Sequence, residues 1–281
     1  MKRYFVRLFV FFITIAVLFG TFFAGSYICC VSQESQVEYK LPIIMYHHIL
    51  KDAARHGEFV ISPEDLERDL KYIKDNGYTT ITDLDLIDYC EKGTPLPEKP
   101  IMLTFDDGHL SYQEYAVPLL KKYNMKAIVS IVGSYTNDYT LHPDRAVSYA
   151  YLSWDDIKNL SVSSHTRIAN HTYDMHKIAQ RKGCSKMKGE TSEQYKKIFS
   201  EDAKKMNDLI YDYTGTQAVC FTYPFGCFCT DAEDEIKKLG FKLSLTCNEG
   251  INNISRNSSL FKLKRFNRPH KKSVQEILSG I

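Results

Sequence analysis

The sequence predicts an α/β fold with a mainly parallel sheet, open or closed into a barrel, behind an apolar N-terminal segment. Short apolar runs rich in β-branched residues alternate with amphipathic helical stretches along most of the chain. This alternation is typical of parallel sheets covered by helices. The central apolar run, 101–105, ends in the carboxylates Asp106 and Asp107, and α/β proteins place their active sites at such strand ends. A length of 281 residues suits one large domain with an appendage, or two smaller domains.

The start of the chain predicts a membrane segment. Lys2, Arg3 and Arg7 precede an uncharged, mostly apolar run over 8–31, which is long enough to span a bilayer and longer than the apolar part of a cleavable signal. The basic flank predicts a single-pass cell-membrane protein whose body lies outside the cytoplasm. Cleavage near 24–26 would instead release a secreted protein. The predicted organisation is a signal anchor at 1–31, a tether at 32–40 and a domain at 41–281.

The net charge gives no sign of a nucleic-acid-binding protein, and the cysteine content is compatible with disulfides in an exported body. The formal net charge is +2, and the basic residues of the N-terminal segment account for it, so the body is close to neutral. A near-neutral body gives no support for nucleic-acid binding. Of the 8 cysteines, Cys29 and Cys30 lie in the apolar segment. The others lie in the exported body, where disulfides can form, although spacing does not choose among the possible pairings.

Local signals place the elements along the body. Ser62 is predicted to cap a helix, with Pro63 in its first turn and Asp65 near the positive end of its dipole. The predicted strands are 41–45, 79–82, 101–105, 127–132, 167–170, 218–222, 242–246 and 261–266. The predicted helices are 62–77, 84–91, 114–123, a helix starting at 153, 192–211, 233–239 and 273–278. The aromatic-rich stretch 134–151 is predicted to be irregular.

Two carboxylates and two histidines form a candidate metal site. His171 and His176 lie five residues apart, after a predicted strand. A catalytic zinc ion uses three protein ligands and one open position, and Asp107, His171 and His176 satisfy that count. Asp106 then stays free as a base. An Asp-Gly turn and unrelated surface histidines are the competing interpretation, but the combination favours a metal site.

Four ordered motifs resemble those of the polysaccharide deacetylases with a NodB-type domain, carbohydrate esterase family 4. The motifs are Met-Tyr-His-His-Ile at 45–49, Thr-Phe-Asp-Asp-Gly at 104–108, His-Thr-Tyr-Asp-Met-His at 171–176 and Tyr-Pro-Phe-Gly at 223–226. They are most similar to the branch that begins with a Tyr-His-His strand and includes poly-N-acetylglucosamine deacetylases. The resemblance covers about 41–265 and implies a distorted (β/α) barrel of about seven parallel strands, with the groove at their C-terminal ends.

The resemblance also implies roles for single residues. Asp107, His171 and His176 would hold a divalent metal, zinc by preference, with cobalt or another divalent ion as alternatives. Asp106 would be the general base that activates water. His47 would be the general acid, since an N-terminal histidine takes that role in this branch. The fallback acids are His48 and His270.

The remaining implied residues bind the substrate or its oxyanion. They are Tyr223, Pro224, Phe225 and Arg265. Many relatives have an Arg that orients the base where this chain has Thr222. Arg265 is therefore also the best candidate for a positive partner of the base. The aromatic side chains beside the centre are expected to be either core residues or platforms for a sugar ring, and they are Tyr46, Tyr173, Tyr223 and Phe225.

The function implied by the resemblance is hydrolysis of the acetamide of N-acetylglucosamine units, in peptidoglycan or in an exported polysaccharide. The expected partners are the N-acetylated polysaccharide and the membrane, and the protein is expected to be a monomer. One alternative is an O-acetyl esterase acting on xylan-type glycans. The other is a catalytically weak carbohydrate-binding protein of the cell wall, which is favoured by Thr222 in place of the Arg and by the lack of a late Asp-Trp motif.

Overall fold

The computed structural model describes residues 4, 5, 14, 15 and 38–281, and residues 38–281 form one compact unit. The strands are β1 (Tyr39–Leu41), β2 (Ile43–Tyr46), β3 (His48–Ile49), β4 (Val60–Ile61), β5 (Thr79–Ile81), β6 (Pro100–Phe105), β7 (Ala127–Ile131), β8 (Thr166–Asn170), β9 (Cys220–Thr222), β10 (Leu243–Leu245), β11 (Asn252–Ile254) and β12 (Phe266–Asn267). The helices are α1 (Pro63–Asp75), α2 (Asp83–Lys92), α3 (Val117–Tyr123), α4 (Gly133–Leu141), α5 (Trp154–Ser161), α6 (Ser192–Thr214), α7 (Thr230–Lys238) and α8 (Val274–Leu278).

The main sheet has eight strands: seven follow the order β10-β9-β8-β7-β6-β2-β12, and β5 pairs with β6 beside this path. Every pairing in this sheet is parallel. Strands β10 and β12 are the two ends of the order, so the sheet is a half-barrel. The prediction of a parallel sheet with about seven strands is confirmed for the strand direction and the approximate strand number. Two small sheets, β1 with β11 and β3 with β4, complete the strand pairing of the described residues.

Both faces of the central strands are apolar because each face packs into a buried cluster. Most of the helices pack on one face, whereas the cluster on the other face is built mainly from strand residues and helix α2. All residues of β6 and β7 are buried. Leu103 and Phe105 pack into one apolar cluster, whereas Met102 and Ile128 pack into a second, as the alternation of side chains along a strand requires. The polar residues that follow these strands therefore lie at one edge of a rigid sheet.

Helix caps confirm several predicted starts. The Ser62 hydroxyl accepts a hydrogen bond from the Asp65 N–H at 3.0 Å, and the Asp65 carboxylate accepts one from the Ser62 N–H at 3.1 Å. This reciprocal capping box satisfies two N–H groups that the first turn leaves free. Ser153 and Ser273 cap α5 and α8 in the same way.

Two of the predicted elements are wrong. The stretch predicted to be irregular begins with helix α4, whose Thr and Asn residues carry no apolar stripe that a sequence pattern could reveal. The predicted strand 261–266 is broken because Lys262 has a left-handed φ of 63°, and only Leu263 forms an isolated bridge there. Strand β12 therefore starts at Phe266.

Two predicted helix starts also move. Helix α7 starts at Thr230, three residues before the predicted position. The helix predicted from Glu114 begins instead as a π-helical turn, Tyr112–Ala116, in which the Val117 N–H donates to the Tyr112 carbonyl. Pro118 explains this turn, since it lacks an N–H and its ring would clash with the carbonyl of Glu114 in a regular helix.

The predicted membrane anchor lies largely outside the described residues. Within the residues that the structure describes, no helix has the length and apolar character needed to cross a membrane.

Candidate metal centre and active-site groove

Three predicted ligands meet at the carboxyl ends of β6 and β8. The ligand atoms of Asp107, His171 and His176 lie within 4.8 Å of one another. One oxygen of Asp107, Oδ1, is 3.6 Å from Nε2 of His171 and 3.0 Å from Nε2 of His176. The structure therefore brings together the three side chains that the sequence proposes as metal ligands.

The hydrogen bonds around these residues fit a metal site. Nδ1 of His171 lies 2.7 Å from the Thr222 carbonyl oxygen, which can only accept, so Nδ1 carries the proton and Nε2 presents a lone pair. Burial raises the pKa of Asp107, but its contacts with neighbouring histidines outweigh burial and hold this pKa well below the usual value. Two imidazole nitrogens and one ionised carboxylate form a donor set that suits zinc and leaves room for a further ligand.

The backbone that carries these ligands is unusual at three points. Asp107, Thr172 and Phe225 have left-handed φ angles of 73°, 71° and 57°. Each lies within three residues of the end of a strand. At Asp107 the turn lets two consecutive carboxylates, Asp106 and Asp107, line the same cavity. Such angles are rare outside glycine, above all for a β-branched residue such as Thr172.

Asp202, on the long helix α6, fixes the loop between the two ligand histidines. Its carboxylate accepts hydrogen bonds from the N–H groups of Tyr173 and Asp174, both at 2.8 Å. Burial raises the pKa of Asp202, and these two N–H groups oppose that effect. The sequence analysis missed this residue because an Asp within a helix resembles any solvated helical carboxylate.

The proposed base, Asp106, is paired with Arg265. Nη1 and Nη2 of Arg265 donate to the two carboxylate oxygens at 2.8 and 2.7 Å, and both side chains are buried. Burial raises the pKa of Asp106, but Arg265 outweighs it and leaves this pKa below its usual value. Asp106 is thus ionised and able to accept a proton. Arg265 stands behind the base as the predicted positive partner, and its full burial keeps it from contacting a substrate.

Three histidines were candidates for the general acid, and their surroundings separate them. Both ring nitrogens of His48 are engaged, with the Ser111 hydroxyl at 2.8 Å and the Ser148 carbonyl at 3.1 Å, and burial lowers the pKa of His48 to about 4. His270 is bound to Asp65 at 2.6 Å. His48 therefore has no ring nitrogen left for a substrate, and His270 does not line the cavity of the metal cluster.

His47 differs from both of these histidines. It lines the same cavity as the metal cluster, and its Nδ1 has no hydrogen-bond partner among the described residues. Burial lowers the pKa of His47, although Asp107 and Asp106 oppose this. A lowered pKa makes the imidazolium form a stronger acid and also reduces the fraction of His47 that carries the proton near neutral pH.

The aromatic residues of the fourth motif divide between core and groove. Tyr223 is fully buried, and its ring centroid lies 5.1 Å from that of Phe221 and 5.0 Å from that of Phe228. Pro224 is buried as well. Phe225 alone of this motif lines the cavity, with its ring centroid 4.5 Å from that of His176. The structure therefore places the side chains of Tyr223 and Pro224 in the core and does not bring them into the groove.

The other two expected platforms lie outside the groove. Tyr46 is buried, and its hydroxyl donates to Asp69 at 3.2 Å. Tyr173 is half-buried and carries the ammonium group of Lys205 over its ring at 3.5 Å. Neither residue lines the cavity, so both are structural.

One histidine beside the cluster was missed. The ring of His109 stacks on that of His48 with centroids 4.1 Å apart, and its Nε2 lies 3.6 Å from Oδ2 of Asp107. His109 therefore faces the carboxylate oxygen that is turned away from His171 and His176. Its position directly after the Asp-Asp-Gly motif was the signal that could have revealed it.

All the chemically competent groups open into one cavity of about 660 Å³. It contains the proposed base, the proposed acid and the three ligands side by side. A groove of this volume encloses a ligand of up to drug size, for which pockets of roughly 300–1,000 Å³ are usual.

Comparison with known proteins agrees with this geometry. Residues 93–244 match the family model described as polysaccharide deacetylase. The chain therefore belongs to the polysaccharide deacetylase family, a family of hydrolases that act on the amide bonds of N-acetylated sugars.

Individual proteins are similar to this chain in sequence or in fold. The chain is 25% identical over 256 residues to a poly-beta-1,6-N-acetyl-D-glucosamine N-deacetylase of Escherichia coli (strain K12), covering 84% of the chain but only 38% of that protein. Its fold is similar to that of a de-N-acetylase from Aggregatibacter actinomycetemcomitans, with a TM-score of 0.73, 22% identity and coverage of 86% and 100% of the two chains. It is also similar to a Streptococcus pyogenes deacetylase in complex with acetate, with a TM-score of 0.69, 22% identity and coverage of 86% and 98%.

Proposed function

We propose that this protein is a metal-dependent hydrolase that removes acetyl groups from N-acetylglucosamine units of a poly-N-acetylglucosamine-type polysaccharide. The observation that carries the proposal is the position of the Asp106–Arg265 pair beside the Asp107, His171 and His176 cluster in one open groove. The similarity to the E. coli poly-N-acetylglucosamine deacetylase supports this choice of polymer over peptidoglycan.

The side chains divide the reaction between them. Ionised Asp106 takes a proton from a water molecule while the oxygen of that water attacks the carbonyl carbon of the acetamide. Arg265 holds both carboxylate oxygens and so fixes the direction of the base. When the C–N bond breaks, His47 gives a proton to the departing amine, and the products are acetate and a glucosamine unit. A divalent ion, zinc by preference, held by the three ligands would supply Lewis-acid activation of the acetamide carbonyl.

The backbone of the Phe225 turn completes the proposed site. Phe225 packs against the ligand His176 and lines the groove. We assign the oxyanion contact to a backbone N–H of this turn, since preorganised N–H donors stabilise the charge that develops on the carbonyl oxygen.

The alternative of a binding protein without turnover loses its main support. It is favoured by two departures from the family pattern, Thr222 in place of an Arg and the lack of a late Asp-Trp motif. Arg265 makes up for the first, because it supplies the guanidinium partner of the base from a different segment. No described contact favours an O-acetyl ester over an acetamide, so the esterase alternative is left to the assay.

The proposal includes export and attachment to the cell membrane by the N-terminal segment, with the protein acting as a monomer. The basic flank and the apolar run of the sequence support it. Fractionation of cells that express the full chain should place it in the membrane fraction, with the body sensitive to external protease. A full-length protein found only in the cytosol would contradict this part of the proposal.

Acetate release tests the chemistry directly. The protein should release acetate from poly-β-1,6-N-acetylglucosamine, lose this activity in chelator and regain it with zinc or cobalt. Peptidoglycan and acetylated xylan are the comparison substrates. Asp106→Asn is the matched control, because it should bind metal and release acetate roughly 10²–10⁴ times more slowly. If metal-loaded protein released no acetate from any of these polymers, the proposal would be wrong, and faster release from xylan would favour the esterase.

A further inference from the structure

An exposed aromatic side chain lies at the groove beside the proposed acid. Phe59 is 53% exposed, lines the cavity of the metal cluster and has its ring centroid 4.8 Å from that of His47. Of the large apolar side chains that are exposed in the described part of the chain, only Phe59 and Ile178 line this cavity. Exposed apolar surface inside a groove is a common sign of a ligand contact.

The backbone holds Phe59 in a fixed place. Its carbonyl oxygen accepts a hydrogen bond from the His48 N–H at 3.0 Å, and the Gly57 N–H donates to the Val60 carbonyl at 2.9 Å. The amide of Asn267 donates to the backbone and side-chain oxygens of Glu58 at 3.0 and 2.7 Å. The residues on both sides of Phe59 are thus tied to other segments. A ring presented in this way loses little conformational freedom when a ligand covers it.

The two phenylalanine rings of the cavity pack against different residues of the proposed site. Phe225 packs on the ligand His176, whereas Phe59 packs on the proposed acid His47. A sugar that covers Phe59 therefore lies next to the sugar whose acetamide is attacked. Aromatic faces bind the apolar C–H face of a pyranose ring through burial of apolar surface.

We propose that Phe59 forms a subsite for the sugar unit adjacent to the reacting one, so that the substrate is a chain of linked N-acetylhexosamines and not a single sugar. This inference rests on the proposed deacetylase function. It adds a binding residue that no ordered motif of the sequence contains.

The test compares substrates of increasing length. Acetate release is measured on β-1,6-linked N-acetylglucosamine from the monosaccharide to the pentasaccharide, for wild type, Phe59→Ala, Phe59→Leu and Phe59→Tyr. In wild type, kcat/KM should rise once a second unit is present. Phe59→Ala should lower the ratio of pentasaccharide to monosaccharide kcat/KM by about tenfold, as expected for loss of one aromatic stacking contact, mainly through KM.

The conservative variants show which property of the ring matters. Phe59→Tyr keeps the aromatic face and should retain the wild-type ratio of pentasaccharide to monosaccharide kcat/KM. Phe59→Leu is apolar but has no flat face, so most of the preference for the pentasaccharide should disappear. Tyr211→Ala is the matched control, since Tyr211 is also 53% exposed but lies on α6 outside the cavity.

A second readout does not need turnover. The binding of the pentasaccharide is measured by calorimetry for Asp106→Asn and for the double variant Asp106→Asn, Phe59→Ala. The double variant should bind about tenfold more weakly. An active wild type with an unchanged length ratio and unchanged affinity in Phe59→Ala would overturn the subsite alone. A wild type that releases no acetate from any of these sugars would overturn the proposed function and, with it, the role of Phe59 in substrate binding.

Discussion

Two buried Asp–Arg pairs lie close together in this protein, and only one of them belongs to the groove. Arg265 pairs with Asp106, and Arg268, three residues later, pairs with Asp69. All four side chains are at most 2% exposed. Both guanidinium groups donate to both oxygens of their carboxylate. Sequence and burial alone would not tell the two pairs apart.

The difference lies in the hydrogen bonds that remain for other partners. The Asp69 carboxylate accepts two bonds from Arg268, one from the Tyr46 hydroxyl at 3.2 Å and one from the Val274 N–H at 3.1 Å. Asp106 accepts only the two bonds from Arg265 within the described residues and lines the cavity. The carboxylate of a buried pair can act as a base when it still has a lone pair open to the groove. When other donors occupy all its lone pairs, the pair serves only to hold segments of the structure together.

The largest expected effect separates the two carboxylates by activity. Asp106→Asn should lower kcat by roughly 10²–10⁴, the usual contribution of a general base, because an amide cannot accept the proton from water. Asp69→Asn should leave kcat within a few-fold of wild type and lower the melting temperature instead. Acetate release and thermal unfolding measure both. Equal losses of kcat in the two variants would contradict the assignment of Asp106 as the base and Asp69 as a structural residue.

The arginines provide the converse test on stability. Arg268→Met leaves the Asp69 charge buried without its partner and should cost about 3–5 kcal/mol of unfolding free energy. Its kcat per folded molecule should stay near that of wild type. Arg265→Met should lose stability and kcat together. Urea unfolding with activity measured on the folded fraction checks both, and an Arg268→Met protein as stable as wild type would contradict the structural role.

A third test concerns the carboxylate that holds the ligand loop. Asp202→Ala frees the N–H groups of Tyr173 and Asp174 and should weaken zinc affinity by roughly 10–100-fold, as is usual for residues that orient metal ligands. Competition with a chromophoric chelator measures the affinity. Asp208→Ala is the control, since Asp208 lies on the same helix in an exposed pair with Lys204. Equal affinities in the two variants would show that the loop does not depend on Asp202.

The smallest expected effect depends on pH. Burial raises the pKa of Asp65, but the Ser62 N–H and His270 outweigh it and leave this pKa lowered. The pKa of an Asp in the unfolded chain is near 3.9. A carboxylate whose pKa is lower in the folded state stabilises the fold at pH values above 3.9, and this contribution is lost as the pH falls through the pKa of the folded state. Asp65→Asn should therefore cost about 1–2 kcal/mol at neutral pH and less at pH 3, which lies below the unfolded pKa. Urea midpoints at both pH values test this, and a constant difference would contradict it.

Local patterns in the sequence predict a large part of this architecture. Apolar runs bounded by turn residues mark the strands of the half-barrel, and Ser62, Ser153 and Ser273 mark helix starts because capping is decided within four residues. Asp106 and Asp107 are predictable as groove residues because they follow directly after a buried strand. The ligand histidines follow from the same rule, applied to β8.

The rest depends on contacts between distant segments, which leave no local signal. Asp202 reaches the ligand loop from a helix about 30 residues away in sequence. Phe59 lies in a turn between two short strands, β3 and β4, that were not predicted. Arg265 was a candidate among several basic residues, and only the fold shows that its side chain turns inward to Asp106. The fully buried position of Tyr223 likewise follows from packing against Phe221, not from its motif.

The left-handed backbone at Asp107, Thr172 and Phe225 has a consequence for engineering the protein. Each such residue costs on the order of 1–3 kcal/mol compared with a relaxed conformation, and a glycine would remove most of this cost. Glycine at Asp107 or Phe225, however, would delete a proposed ligand or a wall of the groove. Selection for heat resistance alone would thus tend to erode the site, and stabilising changes are better sought in the helices that face away from it.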